Sequence, residues 1–205
     1  DGGIADAFNK GVQRATGELV AILNSDDWYA DGAINRMVAA HQTRLATNQS
    51  PAILHGDSVW HWPESIPNRP APRRIRPRLW GGRDQVGRAF WFDMPVNHPT
   101  CFVPSSIYQR VGLFDTDYRV AMDFDWMLRA FLAGARFAYV PEVITHFQTG
   151  GVSGQHTRLA IREVCRAQQR SRVYPFRRRV AYWGKMSVNR LKSLTGVRLL
   201  PGSAT

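Results

Sequence analysis

The short apolar run at residues 18–24, ELVAILN, limits the fold of this chain more than any other segment does. It passes directly into the acidic, turn-forming stretch SDDWYADG. A continuous apolar run of this kind, bounded by polar residues, is typical of a strand that is buried on both faces of a parallel-type sheet. The run therefore predicts a layered α/β domain in which two carboxylates follow a core strand.

Helix and strand patterns alternate on both sides of this run. A helix is predicted before it, ending near Gly17, and a second helix after it has an apolar face made of Ile34, Met37, Val38, His41 and Leu45. Further strands are expected at AILHGD, TCFVP and RFAYVPEVITHF. Between the last two, we expect a short helix that begins at Ser105 or Ser106 and ends at Gly112, and a helix around DFDWMLRAFLAG.

Residues 60–95 lack a regular pattern and contain six of the twelve prolines. Seven arginines lie between Arg69 and Arg88, with Asp84 as the only acid among them. Because proline removes a backbone donor and fixes φ, a regular helix or a central strand is excluded here. We interpret the segment as a long functional loop, either covering an acceptor or forming a surface lid.

Charge divides the chain into two parts. Residues 156–205 contain twelve basic residues and one acid, Glu163, whereas residues 1–155 contain fifteen residues of each sign. We therefore predict a balanced domain at 1–155 and a basic, amphipathic helical tail at 156–205. The tail suits an anionic membrane surface, although packing of its first helix (157–172) on the domain is equally compatible with the pattern.

Cellular location and nucleic-acid binding follow from the same composition. No apolar run approaches the roughly 20 residues of a membrane span, so we expect a cytoplasmic protein, peripheral on the inner face of the cell membrane if the tail binds lipid. Because residues 1–155 carry no net charge, no nucleic-acid partner is expected, and binding of nucleic acid through the tail is the alternative.

The pair Asp26 and Asp27 is the first candidate for chemistry. Adjacent carboxylates at the end of a buried strand repel one another unless a cation lies nearby, and Mg²⁺ or Mn²⁺ binds oxygen ligands and phosphates. An acidic cap on the next helix, at Asp27 or Asp31, explains the spacing equally well. From spacing alone both interpretations stay open.

Asp123 and Asp125 form the second candidate, and His146 the third. Residues two apart on a helix point in different directions, so one carboxylate can serve as general base while the other supports Arg129. First-turn acids that favour the helix dipole are the alternative. His146, before the paired glycines of QTGGVSG, could complete a metal shell, but a lone histidine, like His98, is more often structural.

Taken in order, these segments resemble glycosyltransferase family 2, the inverting enzymes with a GT-A fold. The resemblance covers roughly residues 1–154, from DGGIADAFNKGVQRATGELVAILNSDDWY through ILHGD and NHPTCFVPSSIYQRVGLFDTDYRVAMDFDWMLR to GGVSG. It implies a GT-A-like (Rossmann-like) mixed sheet flanked by helices. It also implies a metal-dependent enzyme that transfers a sugar from a nucleotide-diphosphate sugar to a glycan or lipid-linked acceptor hydroxyl with inversion, in bacterial cell-surface polysaccharide synthesis.

The resemblance also implies roles for individual residues. Asp26 and Asp27 correspond to the family's DXD-like motif, with Asp27 as ligand of Mn²⁺ or Mg²⁺ and Asp26 as a contact to the ribose or the metal. Asp123 corresponds to the catalytic base; Met122 stands where the family has Glu, so Asp125 stays an alternative. The stretch that lines the nucleotide pocket corresponds to Asp6, Asn9, Lys10 and Gly11.

The chain departs from the family pattern at its start. Members begin with a strand-helix-strand unit that binds the nucleotide base, so we expect a GT-A sheet that lacks its first βαβ unit and binds the donor poorly on its own. A nucleotidyltransferase-like enzyme on a similar scaffold is the nearest rival function. It would use the same kind of acidic metal ligands.

Overall fold

A computed structural model describes residues 2–77, 89–90 and 94–171 of the chain. Its elements are α1 Ile4–Arg14, β1 Leu19–Ala21, β2 Trp28–Tyr29, α2 Ala33–Ala46, β3 Ala52–His61, β4 Arg73–Ile75, β5 Phe102–Pro104, α3 Ser105–Val111, α4 Met122–Leu132, β6 Arg136–Gln148, α5 Val152–Gln155 and α6 Thr157–Arg170. The predicted alternation of strands and helices is confirmed. Gly112, with φ of 84°, follows the last residue of α3 as the sequence indicates.

The strands form one mixed sheet in the order β1-β5-β3-β6-β2, and β4 pairs with β3 beside this path. β3 and β6 run parallel from Ala52 opposite Arg136 to His61 opposite Gln148. β5 lies antiparallel to both β1 and β3, and β2 lies antiparallel to β6. The carboxyl ends of β3 and β6 therefore meet at one edge of the sheet, where ligands of open α/β sheets bind.

Helices cover both faces of this sheet because successive strand residues point to opposite sides. Ile53 of β3 belongs to the larger apolar cluster, which includes the fully buried Trp126 of α4. Leu54 belongs to the smaller cluster, together with Met37 of α2 and Ile144 of β6. Each large side chain buried in this way contributes about 1.5–3 kcal/mol to stability.

The pairing of β3 with β6 is interrupted by a bulge at Gly56. His55 lies opposite Tyr139 but Asp57 lies opposite Val143, so β6 accommodates extra residues at this point. A Cβ atom on Gly56 would approach the Ile144 side chain to 2.4 Å and the Glu142 carbonyl to 2.8 Å. Only glycine allows the two strands to stay in contact around the bulge, which sets the register of everything beyond it.

The predicted apolar face of α2 is wrong in part. Met37 and His41 are buried, as expected, but Ile34, Val38 and Leu45 are between 38% and 51% exposed. The helix instead rests on the narrower stripe Ala33, Met37 and His41, because residues four apart lie in one row along a helix. Small Ala33 allows a close approach to the sheet.

The segment 60–95 is partly ordered, and residues 78–88 and 91–93 of it lie outside the described residues. β3 extends into it as far as His61, and β4 pairs with Ser58, Val59 and Trp60 at the margin of the sheet. Among the described residues of this stretch, β4 lies beside the main path of the sheet, where prolines are tolerated, and Trp60 and His61 of the central strand β3 come before the first proline, Pro63. Phe90 returns to the core, where it is fully buried.

The first part of the basic tail is the helix α6, as predicted. Ile161 and Ala167 of this helix are buried against the domain, as are the polar residues Glu163 and Gln168. Residues 172–205 lie outside the described part of the chain. Within the part that is described, no helix has the length and apolar character needed to cross a bilayer.

Candidate functional site

Asp27 lies where the carboxyl ends of β3 and β6 meet. Its Oδ1 accepts a hydrogen bond of 3.0 Å from the backbone N–H of Gln148, the last residue of β6. Its Oδ2 accepts one of 2.9 Å from the side-chain amide of Asn24, and its own N–H donates to the Asn24 carbonyl at 3.2 Å. The turn between β1 and β2 thus holds this carboxylate against the neighbouring strand.

The two carboxylates of the pair lie in different environments. Asp27 is 8% exposed, whereas Asp26 is exposed to solvent. Burial raises the pKa of Asp27 above its usual value; the hydrogen bonds from Gln148 and Asn24 oppose this rise, and the charge of Asp26 adds to it. A nearby cation would relieve both the desolvation and the repulsion, since either one disfavours the charged carboxylate.

The capping alternative for this loop receives no support from the structure. Helix α2 begins at Ala33, its cap residue is Gly32, and no side chain makes a capping hydrogen bond there. Asp31 contributes only its backbone carbonyl, which accepts a hydrogen bond of 2.6 Å from the Arg36 guanidinium. The burial of Asp27 therefore has a cause other than helix capping.

An aromatic cluster that the sequence analysis missed adjoins Asp27. Trp28 of β2, 45% exposed, stacks on His146 of β6 with ring centroids 5.0 Å apart and 2° between planes. The His146 Nδ1 in turn lies 2.9 Å from the Nε2 of His61, at the end of β3. One of these two nitrogens carries the shared proton. Burial, followed by the charges of His146 and Arg69, lowers the pKa of His61.

The metal-ligand role of His146 stays a prediction that the geometry does not favour. One ring nitrogen of His146 faces His61 rather than a carboxylate. Among residues 2–77, 89–90 and 94–171 there is no group of three or more His, Cys, Asp or Glu side chains that could hold a metal ion. A cation here would therefore depend on Asp27, with Asp26 beside it, and on oxygens from a ligand.

Asp123 and Asp125, left as alternatives by the sequence, have different surroundings. Asp125 is buried, and its Oδ2 lies 2.8 Å from the Nε of Arg129. That guanidinium also donates to the carbonyls of Val111 and Leu113, so the ion pair attaches α4 to the end of α3. Asp125 therefore has a structural role.

Asp123 is the second residue of α4 and is only half-buried. Its Oδ1 accepts a hydrogen bond of 2.7 Å from the N–H of Phe124. Burial raises the pKa of the Cys101 thiol, and the charge of Asp123 adds to this effect. Cys101 directly precedes β5, whose first residue, Phe102, lies opposite the last residue of β1.

The predicted nucleotide-binding residues of α1 are engaged within the protein. The Asn9 side chain donates to the Phe114 carbonyl at 2.9 Å and accepts from the Phe114 N–H at 2.8 Å, which fixes α1 to the segment before α4. Asp6 and Lys10 form an ion pair of 2.8 Å on the helix surface. The Lys10 cation and the Gly2 N–H lower the pKa of Asp6. Their role in nucleotide binding stays a prediction.

Comparisons with known sequences agree with the resemblance. The family profile described as Glycosyl transferase family 2 matches residues 1–99. A PGL/p-HBAD biosynthesis glycosyltransferase of Mycobacterium bovis is 26% identical over 156 residues, which cover 75% of this chain and 54% of the relative. An uncharacterized glycosyltransferase of Mycobacterium tuberculosis is 29% identical over 178 residues, 86% of this chain and 62% of the relative. The chain thus spans little more than half the length of these relatives.

Solved structures support the same fold. The crystal structure of TarS residues 1–349 from S. aureus superimposes with a TM-score of 0.54 at 14% identity, over 81% of this chain and 45% of that one. The same protein in complex with UDP gives a TM-score of 0.50, also at 14% identity and over the same shares of the two chains. The predicted GT-A architecture, a mixed sheet flanked by helices, is confirmed.

Proposed function

Because the profile of glycosyltransferase family 2 matches residues 1–99 and the relatives found are glycosyltransferases, we propose that this chain is a member of that family and carries the catalytic part of an enzyme that moves a sugar from a nucleotide-diphosphate sugar to an acceptor hydroxyl. Inversion at the anomeric carbon and a divalent cation are parts of this proposal. The observation that carries it is the carboxylate of Asp27, buried at the meeting point of two parallel strand ends beside an exposed second carboxylate.

Asp27, with Asp26, is the proposed holder of Mn²⁺ or Mg²⁺. Each oxygen of Asp27 accepts one hydrogen bond and keeps a lone pair for a cation. Hard oxygen donors suit both ions, and sites with few protein ligands are usual when phosphates and water complete the shell. When bound, the cation would neutralise the charge that develops on the departing diphosphate. A UDP complex of the structural relative TarS supports a uridine nucleotide as donor.

Asp123 is the proposed general base. It is half-buried at the amino end of α4, whereas Asp125 is held by Arg129. The base removes the proton from the acceptor hydroxyl while the oxygen attacks the anomeric carbon from the face opposite the leaving group. A single displacement of this kind inverts that carbon and needs no covalent intermediate on the protein.

The acceptor and the membrane partner are further parts of this proposal. A glycan or lipid-linked acceptor in cell-surface polysaccharide synthesis is part of the proposal. The M. bovis relative is described as a PGL/p-HBAD biosynthesis glycosyltransferase, which supports a biosynthetic role. An anionic membrane surface is the proposed partner of the basic segment. Most of the cations that would bind it belong to residues 172–205, outside the described part of the chain.

The test is release of UDP from a panel of UDP-sugars by the full-length protein, with Mn²⁺ or Mg²⁺ and a lipid-linked saccharide acceptor. Asp27→Asn and Asp123→Asn should each lower turnover more than about 100-fold, because one weakens the grip on the charged diphosphate and the other removes the base. NMR of the product should show the anomeric configuration opposite to that of the donor.

Asp31→Asn is the matched control, since Asp31 is an exposed acid of the same loop whose carboxylate has no assigned role. Its turnover should match that of the wild type. Full activity of Asp27→Asn and Asp123→Asn, or retention of the donor's configuration, would contradict the proposed function.

A further inference from the structure

Glu163 is the only acidic residue among residues 156–205, and it is buried. Its Oε1 accepts a hydrogen bond of 2.9 Å from the N–H of Arg119. Its Oε2 accepts two more, of 2.9 Å from Val120 and 2.8 Å from Ala121. Three consecutive backbone N–H groups thus converge on one carboxylate, an arrangement that selects for an anion.

These three residues lead directly into α4. Ala121 is the cap residue of that helix, and no side-chain hydrogen bond caps it from within the segment. In the common capping box, a Glu three residues into the helix binds the cap N–H. Phe124 occupies that position here and cannot do so. Glu163 provides the missing acceptor from a different helix, more than forty residues along the chain.

We infer that Glu163 is a positioning residue that holds the first turn of α4, and with it Asp123, in the geometry needed for sugar transfer. The inference rests on the proposed function, in which Asp123 acts as base. Asp123 is two residues beyond the last N–H that Glu163 binds. A shift of the cap would therefore move the Asp123 carboxylate, and a misplacement of about 1 Å can lower a rate by about 100-fold.

Other contacts of α6 attach the helix without reaching this turn. Arg170 forms an ion pair with Asp115, Arg166 forms one with Asp117, and Gln168 donates to the carbonyl of Phe90. These contacts explain how α6 docks on the domain. A buried carboxylate that faces the N–H groups in front of α4 is not needed for docking and requires its own explanation, because a buried charge is costly unless it is fully hydrogen-bonded.

The experiment compares Glu163→Gln with wild type in the full-length protein. Gln has nearly the same shape but turns an amide N–H₂ toward backbone donors, so the three bonds cannot all persist. Turnover is measured as UDP release from the UDP-sugar that the wild type uses, and is divided by the number of UDP·Mn²⁺ sites found by titration. This correction removes any loss of folded protein. Hydrogen exchange of the amides of residues 119–124 reports the local geometry.

For Glu163→Gln we expect turnover per site to fall about 10- to 100-fold, the KM for donor to change less than about twofold, and the amides of residues 119–121 to exchange faster. Arg170→Ala, which removes another contact between α6 and the same segment, should keep wild-type turnover per site. Asp123→Asn marks the activity that remains without the base.

The outcomes separate the two ideas. Wild-type turnover per site in Glu163→Gln, or an equal loss in Arg170→Ala, overturns the positioning role while the proposed function stands. A wild-type protein that releases no UDP from any sugar donor, or an Asp123→Asn variant with full activity, overturns the proposed function and this inference together.

Discussion

At the scale of single residues, Asp123 and Asp125 show how two carboxylates in the sequence MDFDWMLR acquire different roles. Asp125→Asn should lower the free energy of unfolding by about 2–3 kcal/mol, because it leaves the partly buried Arg129 guanidinium without its counter-charge. Asp123→Asn should change that free energy by less than about 1 kcal/mol. Urea denaturation of both variants measures the difference, and equal destabilisation would refute the assignment.

The buried histidines predict a dependence of stability on pH. Burial lowers the pKa of His55 and of His98 from 6.5 to about 4. A folded-state pKa below the unfolded value means that the unfolded chain binds the proton more tightly. The stability contributed by each neutral ring is therefore complete above pH 6.5 and is lost as the pH falls toward about 4. At pH 5, the loss of this contribution lowers the free energy of unfolding by about 2 kcal/mol for each ring.

The urea concentration at the unfolding midpoint should accordingly decrease as the pH is lowered from 7 to 5. The midpoint of His55→Phe should decrease less over the same interval, because this variant lacks one of the two histidine rings. It should also be at least as stable as the wild type at neutral pH, since the buried Nδ1 of His55 has no hydrogen-bond partner among the described residues. If the midpoint of His55→Phe decreased with pH as much as that of the wild type, the explanation would be contradicted.

The cluster of Trp28, His61 and His146 could not be predicted from the sequence. The two histidines are 85 positions apart, and they meet because β3 and β6 pair in parallel beyond the bulge at Gly56. No local pattern contains that register. Asp26, Asp27 and Asp123 could be proposed as candidates because each follows or begins an element that local periodicity predicts.

At the scale of elements, helix α2 shows that the spacing of apolar residues does not by itself determine which of them are buried. Two stripes of similar spacing overlap on it, and the sequence alone favours the one with the larger side chains. The sheet instead receives Ala33, Met37 and His41, because a small residue at the start of the helix brings it close to β3 and β6. Amphipathic spacing predicted the helix but could not predict which stripe the neighbouring strands accept.

The two stripes of α2 predict different costs of substitution. Met37→Ala should destabilise the protein by about 2–5 kcal/mol, because Met37 is fully buried and its removal leaves a cavity. Ile34→Ala should change stability by less than about 0.5 kcal/mol, since Ile34 is 51% exposed. Thermal unfolding of the two variants decides the matter. A larger effect for Ile34→Ala would show that its stripe is the buried one.

At the scale of the whole molecule, α6 belongs to the folded body although its charge pattern assigns it to the basic tail. Arg166 and Arg170, two of the twelve basic residues of the segment 156–205, form ion pairs with Asp117 and Asp115. A membrane role would therefore depend on the remaining cations of the segment. The charge division of the sequence describes its composition. It does not predict that Ile161, Glu163 and Ala167 are buried, because burial depends on contacts in the folded chain.

This arrangement changes how the tail should be tested. Removal of residues 156–205 should unfold or severely destabilise the domain, since it deletes buried side chains and the acceptor for three backbone N–H groups. Removal of residues 172–205 keeps all of these contacts, and its thermal unfolding transition is compared with that of the wild type before vesicle binding is measured. The shorter deletion is thus the clean variant for sedimentation with phosphatidylglycerol vesicles, and undiminished binding by it would contradict a membrane role for those residues.

The hydrogen bond from Gln148 to Asp27 joins groups 121 positions apart in the chain. Because the two groups are so far apart in sequence, the chain loses conformational entropy in closing the loop before the hydrogen bond can stabilise the fold. We therefore expect the proposed donor subsite at Asp27 to form late in folding, after β6 has paired with β3. A ligand that binds Asp27 consequently stabilises the sheet as a cooperative unit, by mass action on the global folding equilibrium.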